Sequence, residues 1–288
     1  MALHVHYGLP ASEKIKNLGT FAEKLAPDSG HIRIGLVNLM PLKEMTEEDF
    51  IHLLSDTPKN VDIELITMAS HTSRNTSLDH IAAHYSSWPD IERRHYDGMI
   101  ITGAPVEKIE FESVDYWPEL TSMFDSLRRR TTPTLYICWA AFAGLYHNYG
   151  IKKHILDRKI SGVFHHRIHH REKPIFEGIG DDFYIPHSRY ATFRREEIAN
   201  HPALTIESES DESGVYIVEA AGGKELYITG HSEYTLNTLD FEYHRDLKKG
   251  IDPHIPANYY RDDNPELEPI DRWSRNARRL FGNWLNSL

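Results

Sequence analysis

Residues 132–150 read TPTLYICWAAFAGLYHNYG. The first half is a short apolar, β-branched run introduced by Pro133, and the second half has the spacing of a buried helix ending at Gly150. Between them stands Cys138, the only cysteine in the chain. The segment therefore predicts a strand, a sharp turn and a helix, with a thiol on the turn. A lone cysteine makes no intrachain disulfide and builds no cysteine metal site. Backbone N–H groups at a helix N-terminus favour the thiolate form of a cysteine placed there and can also hold an oxyanion. That position suits covalent acyl chemistry. Position alone leaves open a buried cysteine that only packs.

Outward from this segment, similar units repeat. HIRIGLVNLM (31–40), VDIELITM (61–68) and DGMIITGAP (97–105) read as buried strands. TEEDFIHLLSD (46–56) predicts a helix capped by Thr46, and SRNTSLDHIAAHYSSW (73–88) a helical stretch ending before Pro89. YWPELTSMFDSLRRR (116–130) is amphipathic, with three arginines at its cation-favouring end. Apolar strands alternating with helices indicate an α/β protein with a mostly parallel central sheet flanked by helices on both faces. Active sites in such sheets lie beyond the carboxyl ends of the strands. The TGAP turn and the Cys138 turn both fall on that edge, where they can face one cleft.

The second half reads differently. KISGVFHHRI, DDFYIPHSRY, LTIESESDESGVYIVEA and GKELYITGHSEY predict mostly antiparallel β-structure, the last run rejoining the main sheet. Two helices follow, in 235–250 and 269–288. The expectation is an N-terminal extension, residues 1–30, and one α/β domain over 31–288 with a β-rich insertion. A formal net charge of −11 argues against a nucleic-acid binder. No run is long and apolar enough for a membrane span, and the amino terminus lacks a signal-peptide pattern. With one cysteine, these features point to the cytoplasm. Of 19 histidines, the densest group is HHRIHH (165–170). It has no dependable ligand spacing, so a solvated strand edge and turn is expected there, with no metal.

TGHSEY (229–234) places His231 and Glu233 just past a strand. An imidazole can take the proton from a thiol, and a neighbouring carboxylate can fix its tautomer. The spacing alone favours an ordinary exposed turn.

Taken together with NLMP (38–41), GMIITGAPVEKIEFESVDYW (98–117), ICW (137–139), GLYHNYG (144–150), PHSR (186–189) and EYHRDL (242–247), the chain resembles the homoserine O-acyltransferases of the transsuccinylase type. These are relatives of the class I glutamine amidotransferases. The resemblance, from about His31 to the C-terminus, implies that Cys138 carries the acyl group as a thioester. His231 is then the general base, Glu233 its orienting partner, and the Trp139 backbone N–H an oxyanion donor. Lys159, Ser188 and Arg245 fall at substrate-binding positions, with Arg245 suited to a carboxylate. Glu107 falls at the position that separates acetyl-CoA from succinyl-CoA users, and a glutamate there points to acetyl-CoA. No permanently bound cofactor is implied. The partners are acetyl-CoA and a small hydroxy amino acid, and whether the chain works as a homodimer is left open.

Family members usually show Cys-Trp-Gly-Ala-Gln-Ala-Gly where this chain has Cys-Trp-Ala-Ala-Phe-Ala-Gly. If Ala140 and Phe142 shorten the acceptor pocket by one methylene, they favour serine by about 1–3 kcal/mol. Homoserine is the leading acceptor, serine the alternative. A glutamine amidotransferase-like hydrolase and a silent binding protein of the same fold are the competing classes.

Overall fold

The computed structural model describes residues 3–5, 9–14, 30–55, 57 and 59–288. In its first half strands and helices alternate: β1 (Leu3–Val5), α1 (Pro10–Lys14), β2 (Ile32–Val37), α2 (Lys43–Leu54), β3 (Val61–Thr67), α3 (Leu78–His84), β4 (Tyr85–Ser87), α4 (Trp88–Ile91), β5 (Gly98–Ile101), α5 (Trp117–Arg129), β6 (Thr134–Ile137) and α6 (Trp139–Tyr149). The second half runs β7 (His154–His165), β8 (Arg167–Ile168), β9 (Tyr184–Thr192), α7 (Arg195–Ala199), β10 (Leu204–Ser210), β11 (Gly214–Ala220), β12 (Glu225–Ile228), α8 (Thr238–Lys248) and α9 (Ser274–Asn286).

The main sheet has the order β1-β3-β2-β5-β6-β12-β11-β10-β8, with β4 also paired to β3. Pairing is parallel from β1 to β12 and antiparallel from β11 onward. Because side chains alternate across a strand, each central strand feeds two cores. Ile100, Leu135, Ile137, Leu226 and Ile228 pack on one face with residues of α2 and α9. Met99, Ile101, Tyr136 and Tyr227 pack on the other with α5 and α6.

Several local expectations are corrected. Helix α2 begins at Lys43, one turn ahead of Thr46, whose hydroxyl bonds back to the Leu42 carbonyl at 3.4 Å inside the helix. The stretch 73–88 is helical only over Leu78–His84; the chain then becomes extended and pairs with β3 before Pro89 enters the first turn of α4. The β-rich region divides in two. β7 and β9 form a separate antiparallel pair, whereas β8 and β10–β12 extend the main sheet. From the segment assigned to an extension, β1 joins the sheet as a parallel neighbour of β3.

HHRIHH is not uniformly solvated. His166 is fully buried, its ring stacked on His187 at 5.0 Å, while His169 and His170 pair with Glu209 and Glu207. Burial pushes the His166 pKa down to about 3, so its ring is neutral.

Gly144 lets α6 lie close on the sheet. A Cβ there would stand 2.7 Å from Tyr227 and 2.9 Å from Tyr136, whose rings stack at 4.6 Å. In an open helix Gly→Ala stabilises by about 1 kcal/mol, but overpacking a core costs about 1–3 kcal/mol. Gly144→Ala is therefore expected to lower the urea midpoint, and a raised midpoint would show that the two tyrosines yield freely.

Candidate active site

β6 and β12 are parallel neighbours in register, Ile137 opposite Ile228, so the residues after each strand emerge side by side. Cys138 follows β6 with φ +50° and ψ −114°, a backbone conformation that is rare outside glycine. Its N–H donates to the Ile228 carbonyl at 2.7 Å, and its own carbonyl accepts from Ala141 at 2.9 Å. Held this way, the side chain points off the strand end at the mouth of α6. The TGAP turn after β5 closes the opposite side. A Cβ on Gly103 would stand 3.1 Å from Cys138 Cβ, 3.6 Å from Sγ and 3.5 Å from the Trp139 nitrogen. Glycine thus leaves free the space that the sulfur and the Trp139 amide both border. The Trp139 indole itself is buried among Phe111 and Tyr116.

After β12, His231 and Glu233 are both buried, with Nδ1 2.7 Å from Glu233 Oε1. The imidazole stacks on Tyr234 at 4.2 Å, and the His231 N–H donates to the Pro186 carbonyl at 2.8 Å. Burial works against a charge on His231. Cys138 and Glu233, acting by charge and hydrogen bond, outweigh it and hold the pKa well above its ordinary value. This arrangement keeps a proton on the imidazole, next to the sulfur.

A second buried carboxyl, Asp49 from α2, borders the cavity over Cys138. It accepts hydrogen bonds from the Thr235 N–H at 3.2 Å and the Thr238 hydroxyl at 3.1 Å. Burial, with a smaller push from the Glu233 charge, raises its pKa from 3.8 to about 8. The group is protonated at neutral pH and adds no negative charge to the cavity.

The cavity over Cys138 has a volume of about 370 Å³. Its wall brings together Lys159 of β7, Ser188 of β9 and Arg245 of α8. Glu242, also of α8, organises that wall. It accepts from the Ser188 hydroxyl, from Lys159 Nζ at 3.3 Å and from the Tyr234 hydroxyl at 3.1 Å. Burial alone would raise its pKa; Lys159 first, then Ser188, His231 and Arg245, bring it below the usual range, so it is ionised. Arg245 is half-buried and forks onto Asp246 at 2.8–2.9 Å. Glu107 is buried in the cavity wall on the side of the TGAP turn.

All the sequence-level candidates therefore border one cavity except Trp139, whose contribution is its backbone beside it. Ala140 and Phe142 do not border it. Phe142 is fully buried on the opposite side of α6, its ring 4.3 Å from that of Phe193. The expected shortening of the acceptor pocket is thereby overturned, because Cys138 lies outside the helix with a non-helical backbone, while Phe142 follows the α6 face that packs in the core. Sequence reasoning missed Asp49, Glu242 and Gly103. The first two lie in charge-rich helical segments that look solvated. Among the described residues no group of three or more His, Cys, Asp or Glu could hold a metal ion.

A sequence model of the family described as homoserine O-succinyltransferase matches residues 2–288. A protein of Bacteroides fragilis named homoserine O-acetyltransferase is 50% identical over 290 residues, covering 99% of this chain and 95% of that protein. One of the same name from Brevibacillus brevis is 47% identical over 282 residues, covering 96% and 92%. Among solved structures, a glutamine amidotransferase from Thermotoga maritima aligns with a TM-score of 0.58 at 13% identity, over 89% of this chain and 97% of that one. One from Methylobacillus flagellatus gives 0.56 at 12%, over 89% and 94%. These likenesses are of fold alone.

The raised Asp49 pKa has a testable sign. The folded state keeps a proton that the unfolded chain loses above 3.8, so this group's contribution is full below that pH and is lost as pH rises through about 8. Asp49→Asn cannot ionise. Between about pH 5 and about pH 8, urea unfolding should show the stability difference moving steadily in the variant's favour. A difference independent of pH would mean that Asp49 is ionised in the fold.

Proposed function

The chain belongs to the homoserine O-succinyltransferase family, and from that premise we propose that it transfers an acetyl group from acetyl-CoA to the side-chain hydroxyl of homoserine. The observation that carries the reading is that Cys138, His231 and Glu233 border the same cavity as Lys159, Glu242 and Arg245. The first three suit acyl transfer, the others an amino acid's two charges. The full-length relatives named for homoserine O-acetylation point the same way.

In the first half-reaction the Cys138 sulfur attacks the thioester carbonyl of acetyl-CoA. The developing oxyanion takes a hydrogen bond from the Trp139 N–H, in the space that Gly103 leaves open. The tetrahedral intermediate collapses, the carbon–sulfur bond to CoA breaks, and His231 protonates the departing thiolate. Acetyl is left on Cys138. In the second half, the now neutral His231 takes the proton from the homoserine hydroxyl as its oxygen attacks the acetyl-enzyme. Cys138 departs, and O-acetylhomoserine forms. Glu233 steadies the imidazolium in both halves. Arg245 and Lys159 suit the acceptor's carboxylate, and ionised Glu242 its ammonium. Serine as acceptor has lost its main support, since Phe142 packs away from the cavity.

Mixing the protein with acetyl-CoA in the absence of acceptor should add one acetyl mass, and homoserine should remove it. Cys138→Ser should abolish both the adduct and turnover. Normal turnover by that variant would rule out the thioester route.

Glu107 sets the donor in this reading. A succinyl carboxylate about 5 Å from another carboxylate, at an effective dielectric constant of about 20, is repelled by about 3 kcal/mol, or ~10²-fold. Glu107→Gly should raise the succinyl-CoA to acetyl-CoA ratio of kcat/KM by that order. A wild-type protein that already prefers succinyl-CoA would reject the assignment.

A further inference from the structure

A second cavity, of about 230 Å³, adjoins the first and shares Met40, Pro41 and residues 104–106 with it. The two differ in their acidic groups. The catalytic cavity is bordered by five carboxyl groups, Asp49, Glu107, Glu233, Glu242 and Asp246, alongside His231, Lys108, Lys159 and Arg245. The second is bordered by Lys43, His71 and Arg74 and by no carboxylate. Lys43 is already engaged, its ammonium donating to the Asn38 carbonyl. His71 pairs with Asp115 at 2.7 Å. Arg74 is exposed and has no ion pair among the described residues. Beside it the Ser73 hydroxyl oxygen is buried without a hydrogen-bond partner. An unpaired guanidinium next to an unsatisfied hydroxyl, in a protein of net charge −11, is a place prepared for an anion.

Building on the acetyl-CoA reading, we propose that this second cavity seats the phosphate-bearing arm of the acyl-CoA donor, with Arg74 and Ser73 as the phosphate contacts. The thioester then reaches Cys138 past the shared wall of Met40, Pro41 and residues 104–106, whereas Lys159 and Arg245 border only the catalytic cavity of the two. Donor and acceptor enter from different directions. The phosphates stay clear of the five carboxyl groups around the reacting atoms. A third cavity, which Lys159 also lines, has Arg158 and His254 but is less suited, since Asp157, Asp246 and Asp252 border it too.

The test compares ligands that share the thiol end but differ in phosphate. CoA affinity is measured by calorimetry for the wild type, Arg74→Glu, Ser73→Ala and Arg158→Glu. The ratio of kcat/KM for acetyl-CoA to that for the acetyl thioester of N-acetylcysteamine, which has no phosphate, is measured for the same set. Arg74→Glu is expected to weaken CoA binding by about tenfold or more and to lower the ratio by a similar factor, with a smaller change in the same direction for Ser73→Ala. Circular dichroism and the urea midpoint establish that the variants are folded. Unchanged CoA affinity in Arg74→Glu overturns the proposal, as does a larger loss in Arg158→Glu or no CoA binding by the wild type. Wild type that binds CoA through Arg74 yet forms no acetyl-enzyme supports the anion site while refuting the acetyl-transfer reading, so the two failures are distinguishable.

Discussion

The hydrogen bond from the Cys138 N–H to the Ile228 carbonyl, 2.7 Å long, joins the two strand ends on which the site is built. It closes the ladder between β6 and β12 at the point where both strands stop. On one side the chain must enter α6, and a backbone at φ +50° throws the sulfur outward. On the other it turns through Thr229 and Gly230 to deliver His231. A residue held in that region costs about 1–3 kcal/mol, and it persists only where its surroundings over-determine it. Here the surroundings are the ladder bond, the first turn of α6 and the apolar layers on both faces. The two packed cores thus act on function through one dihedral angle.

Around that anchor the charges are arranged against burial. Of the buried carboxyls that border the cavity, Asp49, Glu233 and Glu242 come from different elements, and each meets a different fate. Asp49 is neutral, its hydrogen bonds insufficient to offset desolvation. Glu233 is matched by an imidazole whose protonation it supports. Glu242 is ionised by an ammonium, a hydroxyl and a more distant guanidinium. The result is a proton kept at the sulfur end and a zwitterion-like wall at the other.

Much of this was legible in the residues. Continuous apolar strands such as GMII and TLYI announce a sheet covered on both faces, and a thiol between strand and helix announces its own turn. His231 and Glu233 were legible as a pair because they lie two residues apart past a strand. What was hidden depends on which way a helix faces. Asp49 and Glu242 sit in helical stretches rich in charge, where sequence alone favours the solvated side; only the packing of α2 and α8 over the strand ends turns them inward. Phe142 failed for the converse reason. Its nearness in sequence to Cys138 suggested the cavity, but Cys138 stands outside the helix on a non-helical backbone, and Phe142 packs on Phe193 in the core. The division of the β-rich half was equally invisible, because which strands pair is decided by long-range partners that local sequence does not record.

The position of β12 has a consequence for how the molecule comes into being. This strand lies between β6 and β11 in the sheet, yet the chain supplies it only after the whole β7–β9 pair and the β10–β11 hairpin. Contacts so distant in sequence form late, since loop-closure entropy must be met before they contribute. A nascent chain emerging from the ribosome therefore carries a thiol without an imidazole beside it until more than three-quarters of its length has been made. Chemical competence and completion of the sheet arrive in the same step, and a truncated chain holds an unpaired β6 edge in place of a reactive centre.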